Sequence, residues 1–309
     1  MSTAETRERE SRQALPVALA TFLAVALMIA SGFVSSVSGT GEAEILRSVD
    51  ENGSSVLFSG LLQAASFALL TFPLVYLFRA AQARSEGVRR QLIGLVIVAP
   101  LFLAVSSGLN VGARQEAADR FVSGEAKPTL TKEEAREECA ADREDEGEEA
   151  FAEEFEPGKG ESALAACEDR KVEDDAASNA QKDASLTSVA AGLGIAGALG
   201  FAVVLFYACL WAMRTGLLPR FWGSLGMALG IAALLGLLLF TLIWFIYFGL
   251  LILGKVPGGK PPAWETGEAV PWPTPGEKAA AELEPQEGWD EGDSAAEPGG
   301  EKRKRKQRE

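Results

Sequence analysis

Residues 185–213 read SLTSVAAGLGIAGALGFAVVLFYACLWAM, with no Asp, Glu, Lys or Arg among them. Within this run, Gly192-Leu-Gly194-Ile-Ala-Gly197 spells G-x-G-x-x-G, the glycine pattern that cradles phosphates. A phosphate site needs a strand before the first glycine, a helix opening after it and often an acid about 20 residues on. Here SLTSVAA precedes, and Leu210-Trp-Ala-Met213 stands where the acid belongs. The run instead reads as a helix crossing a bilayer. Gly192, Ala196 and Gly200 recur every four residues on one face, and small side chains let a neighbouring helix approach closely. Gly226-x-x-x-Gly230 repeats the device further on.

Four more apolar runs share the absence of charge: residues 15–38, 56–78, 91–111 and 221–254. Each exceeds the roughly 18 residues that argue for a span. The first follows Arg7, Arg9 and Arg12, as a signal peptide would, but its apolar stretch is longer than the usual 7–15 residues and no A-x-A site follows, so it is read as an uncleaved span. The last, as one helix, would be about 51 Å long against a hydrocarbon core of about 30 Å. Either it protrudes or it folds near Gly236 into two short spans, although no Pro, Asn or Asp marks a turn there.

Charge supplies the orientation, because cytoplasmic loops are rich in Lys and Arg. The N-tail holds Arg7, Arg9 and Arg12; the second loop holds Arg79, Arg84, Arg89 and Arg90 against Glu86; the fourth holds Arg214 and Arg220 without an acid. The first loop has Arg47 against Glu42, Glu44, Asp50 and Glu51. The N-terminus is therefore expected inside, with loops one and three outside. Lys255 and Lys260 after the last run favour six spans, which bring the C-terminus inside; five is the alternative.

The third loop, residues 112–184, carries 23 acidic and 10 basic residues, a net of −13 in a chain whose formal net charge is −14. Thr131 and Glu134 fit a capping box at the start of a helix. Glu156-Pro-Gly-Lys-Gly160 breaks the segment, and residues 161–184 again favour a helix. Two helices folded back as a hairpin are expected; large apolar residues are few past Lys127, so disorder is the alternative. Cys139 and Cys167 flank the break. Outside the membrane a bridge between them is expected, pinning the helices together, with two free thiols as the alternative. Cys209 lies within a span as a packing residue.

Asp142-x-Glu144-x-Glu146-Gly147-x5-Glu153 resembles EF-hand spacing, with Glu in place of Asp at the third and fifth positions and Glu149 where an aliphatic residue is usual. In so acidic a segment the reading is a solvated face that screens divalent cations weakly, with no specific metal site. The sequence contains no histidine, which removes Ser-His-Asp, Cys-His and His-containing zinc chemistry; three cysteines without C-x-x-C exclude a thioredoxin motif and a four-cysteine zinc site. No cofactor is implied. Charge is absent from the apolar runs, which argues against an ion-coupled pump. The intramembrane polar candidates are Gln63 and Asn110, with Thr71, Thr241 and Tyr207, as interhelical hydrogen-bonding groups or as the lining of a path.

After the last run, Gly254-Lys-Val-Pro-Gly-Gly-Lys-Pro-Pro-Ala-Trp264 is expected to be extended, with Trp264 and Trp272 as headgroup anchors. The remainder is expected to be disordered, ending in a basic cluster, Lys302 to Lys306. Thr215-Gly-Leu-Leu-Pro-Arg-Phe-Trp-Gly-Ser-Leu-Gly226 and WFIYFGLLILGKVPGGKPPAWETGEAVPWP (residues 244–273) resemble a family of uncharacterised bacterial multi-pass integral membrane proteins. That resemblance implies a six-span inner-membrane protein with a cytoplasmic C-terminus; it implies no catalytic residues and does not extend to the acidic insert.

The expected architecture is an all-α polytopic helical bundle: an N-tail (1–14), spans one to three (15–111), the acidic extracytoplasmic insert (112–184), spans four to six (185–254) and a Pro/Gly-rich tail (255–309). The expected function is that of a non-enzymatic scaffold, accessory subunit or envelope sensor, with a protein partner or a second copy of itself and no nucleic acid. A small-solute facilitator or channel is the alternative.

Overall fold

The computed structural model describes residues 3–35, 37–155 and 162–272. The Glu156–Gly160 break, the tail beyond Trp272 and the Lys302–Lys306 cluster lie outside the described residues. The described residues form helices with no strand among them: α1 (Thr3–Val34), α2 (Glu42–Glu51), α3 (Gly53–Arg84), α4 (Ile93–Val122), α5 (Lys132–Glu146), α6 (Glu148–Glu154), α7 (Ala163–Asp183), α8 (Thr187–Arg214), α9 (Arg220–Leu234), α10 (Leu238–Ile252) and α11 (Pro262–Thr266). Four helical segments, α1, α3, α4 with its preceding 3-10 turn, and α8, are long and apolar enough to cross a membrane.

Neighbouring long helices pack antiparallel, α1 on α3, α3 on α4 and α4 on α8. Their seams are made by small residues. A Cβ added at Gly194 would lie 2.9 Å from Ser106 Oγ, one at Gly197 2.9 Å from the Leu103 nitrogen, and one at Gly200 2.8 Å from the Ala99 Cβ. The face that meets α4 is thus Gly194–Gly197–Gly200, which corrects the expected row of Gly192, Ala196 and Gly200. Gly192 has nothing within 4 Å of such a Cβ, and Ala196 is exposed. Rows at i+3 and i+4 are inclined oppositely to the helix axis, and the partner's ridge decides which row is used. Gly226 and Gly230 do form a contact face: Gly226 lies under Trp244 and Cys209, and a Cβ added at Gly230 would lie 3.1 Å from the Ala202 carbonyl oxygen. Between the helices lies a core whose largest fully buried side chains include Trp244, Phe78, Phe201, Phe245 and Phe248. Pro73 and Pro100 sit within unbroken helices.

The last apolar run folds back. Gly236 adopts φ +78° between α9 and α10, a conformation glycine enters without a Cβ penalty. Trp222 stacks on Tyr247 with ring centroids 3.6 Å apart, and Trp244 Nε1 donates to the Trp222 carbonyl, so the two helices form an antiparallel hairpin. α9 runs along the C-terminal half of α8, and α10 leans across to α1, where Phe22 packs on Gly249.

At one end of the bundle α2, α5, α6 and α7 form a cap. At the other end the chain after α10 does not run extended along a surface. Trp264, on α11, is buried, stacks on Tyr76 at 5.6 Å and donates to the Leu217 carbonyl; Trp272 donates to the Leu218 carbonyl. The expectation that Trp264 anchors at a headgroup is corrected, its ring being buried, whereas Trp272 is half-buried. Their indole N–H groups satisfy two carbonyls of the Thr215–Pro219 turn, which lack helical partners.

Candidate functional site

The cap grows from three local signals. Thr131 and Glu134 form the capping box: Glu134 N–H donates to Thr131 Oγ1 and Thr131 N–H to Glu134 Oε2. Cys139 on α5 and Cys167 on α7 stand at disulfide distance, with Cα atoms 6.1 Å apart, and both are fully buried with Phe151 against Phe155 and Leu164. Across the α5–α7 seam, Lys132 pairs with Asp169 and Lys171 with both Glu138 and Asp142. Exposed pairs of this kind contribute at most about 1 kcal/mol each, so the disulfide and its small apolar cluster are the main brace.

The cap is fixed to the bundle through α2, which hydropathy alone did not reveal. Its signal was the buried spacing Ala43, Leu46, Val49, which packs on Ala117 and Ala118 of α4 and on Ala177 and Ala180 of α7. α2 starts at Gly41, which has no side chain to cap it; Asp174 of α7 accepts the Ala43 N–H instead and does so from 131 residues away. Arg47 pairs with Glu173 at 2.8 Å and lies over the Phe121 ring. Asp175 accepts from the backbone N–H groups of Thr129 and Leu130, holding the chain that enters α5.

These contacts make the cap acid-sensitive. The Leu130 N–H bond, followed by the Thr129 bonds, holds the Asp175 carboxyl below its ordinary value. The Thr40 N–H does the same for Glu44, and the Thr131 N–H for Glu134. Partial burial pulls Lys171 down, but its bonds to Asp142 and Glu138 outweigh this and leave it above the ordinary lysine value. Depressed carboxyl groups stabilise the fold above their unfolded pKa, about 4, and that stability is lost as pH falls through the lower folded values. The lysine contribution persists through neutral pH. Amide protection factors in residues 129–146 are therefore expected to fall below about pH 4 while α8 stays protected; equal protection factors for residues 129–146 at pH 3 and pH 7 would contradict this.

Asp142, Glu144 and Glu146 lie on α5, and Glu153 on α6. The EF-hand spacing thus falls on two helices rather than on a loop, and Asp142 is engaged by Lys171. No group of three His, Cys, Asp or Glu side chains stands together as metal ligands among the described residues. Glu137, Glu144 and Glu148 point outward and have no ion-pair partner among the described residues, leaving a carboxylate surface.

The second site lies just beneath the cap, where α1, α3 and α4 meet. Ser31, Ser59, Gln63, Ser107, Asn110 and Arg114 line a cleft of about 510 Å³. The hydroxyls spend their hydrogens on backbone: Ser31 on the Met28 carbonyl, Ser59 on Ser31, Ser107 on Leu103 and Ser106 on Ala190. Asn110 donates to Ser106 Oγ at 3.3 Å. Half-buried Gln63, at the foot of the cleft, has no hydrogen-bond partner among the described residues, and neither has Arg114 at its rim. The structure thus brings Gln63 and Asn110 together and adds Arg114. Of the other polar candidates, Tyr207 accepts the Arg89 N–H, whereas the Thr71 and Thr241 hydroxyls are buried without a partner among the described residues.

Sequence reading missed a third arrangement. Arg84 at the end of α3 forms a two-pronged ion pair with Glu10 of α1, Nη1 to Oε1 at 2.6 Å and Nη2 to Oε2 at 2.8 Å. The Arg84 side chain is 0% exposed and that of Glu10 8%. Arg84 also donates through Nε and Nη2 to the Ala263 carbonyl, and the Trp264 ring lies over it at 5.4 Å. A separation of 74 residues left no signal in the sequence. No family model, curated protein or solved structure matches the chain.

Proposed function

We propose that the chain is a multi-pass membrane protein without catalysis of its own, a scaffold, accessory subunit or envelope sensor that presents the acidic cap to a partner outside the bilayer. Orientation follows the arginines: the cap, net acidic, lies outside, and the end bearing Arg79, Arg84, Arg89 and Arg90 lies in the cytoplasm. The resemblance in residues 215–226 and 244–273 supports a bacterial inner membrane. Four helices cross the bilayer. The α9–α10 hairpin enters and leaves from the cytoplasmic side, since each arm has 15 residues, about 22 Å of helix, and the core is about 30 Å thick. Its tip is apolar and exposed, with Leu235 at 76% and Leu239 at 72%, and Gly230 reaches only Ala202, midway along α8. The C-terminus is then cytoplasmic, as six spans would also place it. A cysteine at Leu235, in a Cys209→Ala background, is expected to resist membrane-impermeant maleimide from both faces. Labelling from outside would mean that the hairpin crosses.

The observation that carries the functional reading is the brace. The acidic segment is built as a folded body, disulfide-pinned and fastened to three spans, with its carboxylates turned outward. Affinity purification from native membranes in mild detergent, followed by mass spectrometry, tests it. A stoichiometric partner is expected with the wild type and is expected to be lost when Glu137, Glu144 and Glu148 become Gln. The same partners in both samples would make the spans the interface. The polar cleft favours a second reading, a small-solute facilitator, for which flux through purified protein in vesicles is the measure.

A further inference from the structure

We propose that the cleft at the cytoplasmic end, away from the cap, binds the phosphate of an anionic phospholipid headgroup, with Arg79 and Arg90 as its ligands. The cleft, about 600 Å³, is lined by Thr6 and Arg9 of α1, Arg79 and Gln82 of α3, Ser85 and Glu86 after it and Arg90 before α4. Its floor is Arg84, whose guanidinium is spent on Glu10 and the Ala263 carbonyl. Arg79 and Arg90 are exposed and have no ion-pair or hydrogen-bond partner among the described residues. Two guanidinium forks facing one space match the two non-bridging oxygens of a phosphodiester.

The surroundings favour a lipid over a free phosphate. α3 and α4 run antiparallel, with Gln115 donating to the Gly53 carbonyl at the cap end and Arg79 and Arg90 lining one cleft at the other. Phe72 and Ile97 are two helical turns further into the apolar part of the bundle and are exposed, 55% and 37%. A headgroup held by the arginines therefore leaves its acyl chains along an uncovered apolar stripe. Basic pockets between spans on the cytoplasmic side are suited to such headgroups.

The inference rests on the membrane reading above. The test uses the full chain purified in detergent, with phosphatidylglycerol, phosphatidylcholine or inorganic phosphate added, and reads binding by native mass spectrometry and by thermal shift. Phosphatidylglycerol is expected to bind preferentially, undisplaced by inorganic phosphate. Arg79→Gln and Arg90→Gln are each expected to weaken it about fivefold, and together about 25-fold, the attraction of one basic side chain for an anionic surface. Arg143→Gln, on α5 at the opposite end, removes the same charge and is expected to change nothing. Equal binding of both lipids, displacement by phosphate, or an equal loss in Arg143→Gln would each overturn the proposal. A chain that stays soluble without detergent would overturn the membrane reading as well, which separates the two failures.

Discussion

Replacing Arg84 with Ala is expected to destabilise the bundle by about 3–5 kcal/mol, the cost of leaving one member of a buried ion pair without the other. Several groups are orphaned at once. The Glu10 carboxylate stays in a site 8% exposed, the Ala263 carbonyl loses two donors, and the Trp264 ring loses the cation beneath it. Because Trp264 also stacks on Tyr76 and holds the Leu217 carbonyl, the damage reaches α1, α3, α11 and the turn before α9. The measurement is thermal unfolding in detergent, where a loss of this size lowers the midpoint by roughly 6–20 °C. Arg84→Lys is expected to recover part of it, since an ammonium cannot serve both carboxylate oxygens and the carbonyl in a planar fork. The double change Glu10→Leu with Arg84→Met is expected to cost less than either single removal, because no unpaired charge remains buried. An unchanged midpoint in Arg84→Ala would show that the pair is dispensable.

The second large effect is expected from the cap. Replacing Cys139 and Cys167 by Ser, or reducing them, removes a constraint across a sequence separation of 28, about 3–4 kcal/mol in the loop-closure picture. The remaining seam consists of exposed ion pairs and the Phe151 cluster, too little to hold α5 and α6 on α7. Trypsin cleavage after Arg136 and Arg143 is expected to rise by about two orders of magnitude, while α8 remains intact. Cleavage at the oxidised rate would place the brace elsewhere. Because α2 meets α7 through Asp174, Glu173 and the Ala177–Ala180 surface, well away from the disulfide, the base of the cap is expected to survive reduction.

Several features were legible because the force behind them acts locally. Uncharged apolar runs imply helices that can cross a bilayer, since only an uninterrupted internal hydrogen-bond ladder satisfies the backbone there. The Thr131–Glu134 capping box needs only a spacing of three, and two cysteines on either side of a break invite a bridge. Gln63 and Asn110 were visible as polar exceptions in apolar company. Gly194 and Gly197 were overlooked in favour of Gly192 and Ala196 because the sequence shows which residues are small but not which ridge of α4 they face. The hairpin turn carried no Pro, Asn or Asp; its one mark was Gly236, a glycine in a segment full of glycines. α2 was hidden by its shortness and charge, and Trp264 was read as a membrane anchor because its destination, the Tyr76 ring and the Leu217 carbonyl, lies far away in the chain.

By itself, then, the sequence determined the helical class, the long apolar segments, the concentration of negative charge in one insert and the exclusion of histidine chemistry, all consequences of composition and short-range spacing. Tertiary structure alone decided which charges are buried, that Glu10 and Arg84 meet, that the final apolar run doubles back, and that Arg79 and Arg90 face one cleft with no partner among the described residues. These depend on energies set by distance in space, and residues 74 positions apart in the chain carry no mark of being neighbours until packing brings them together.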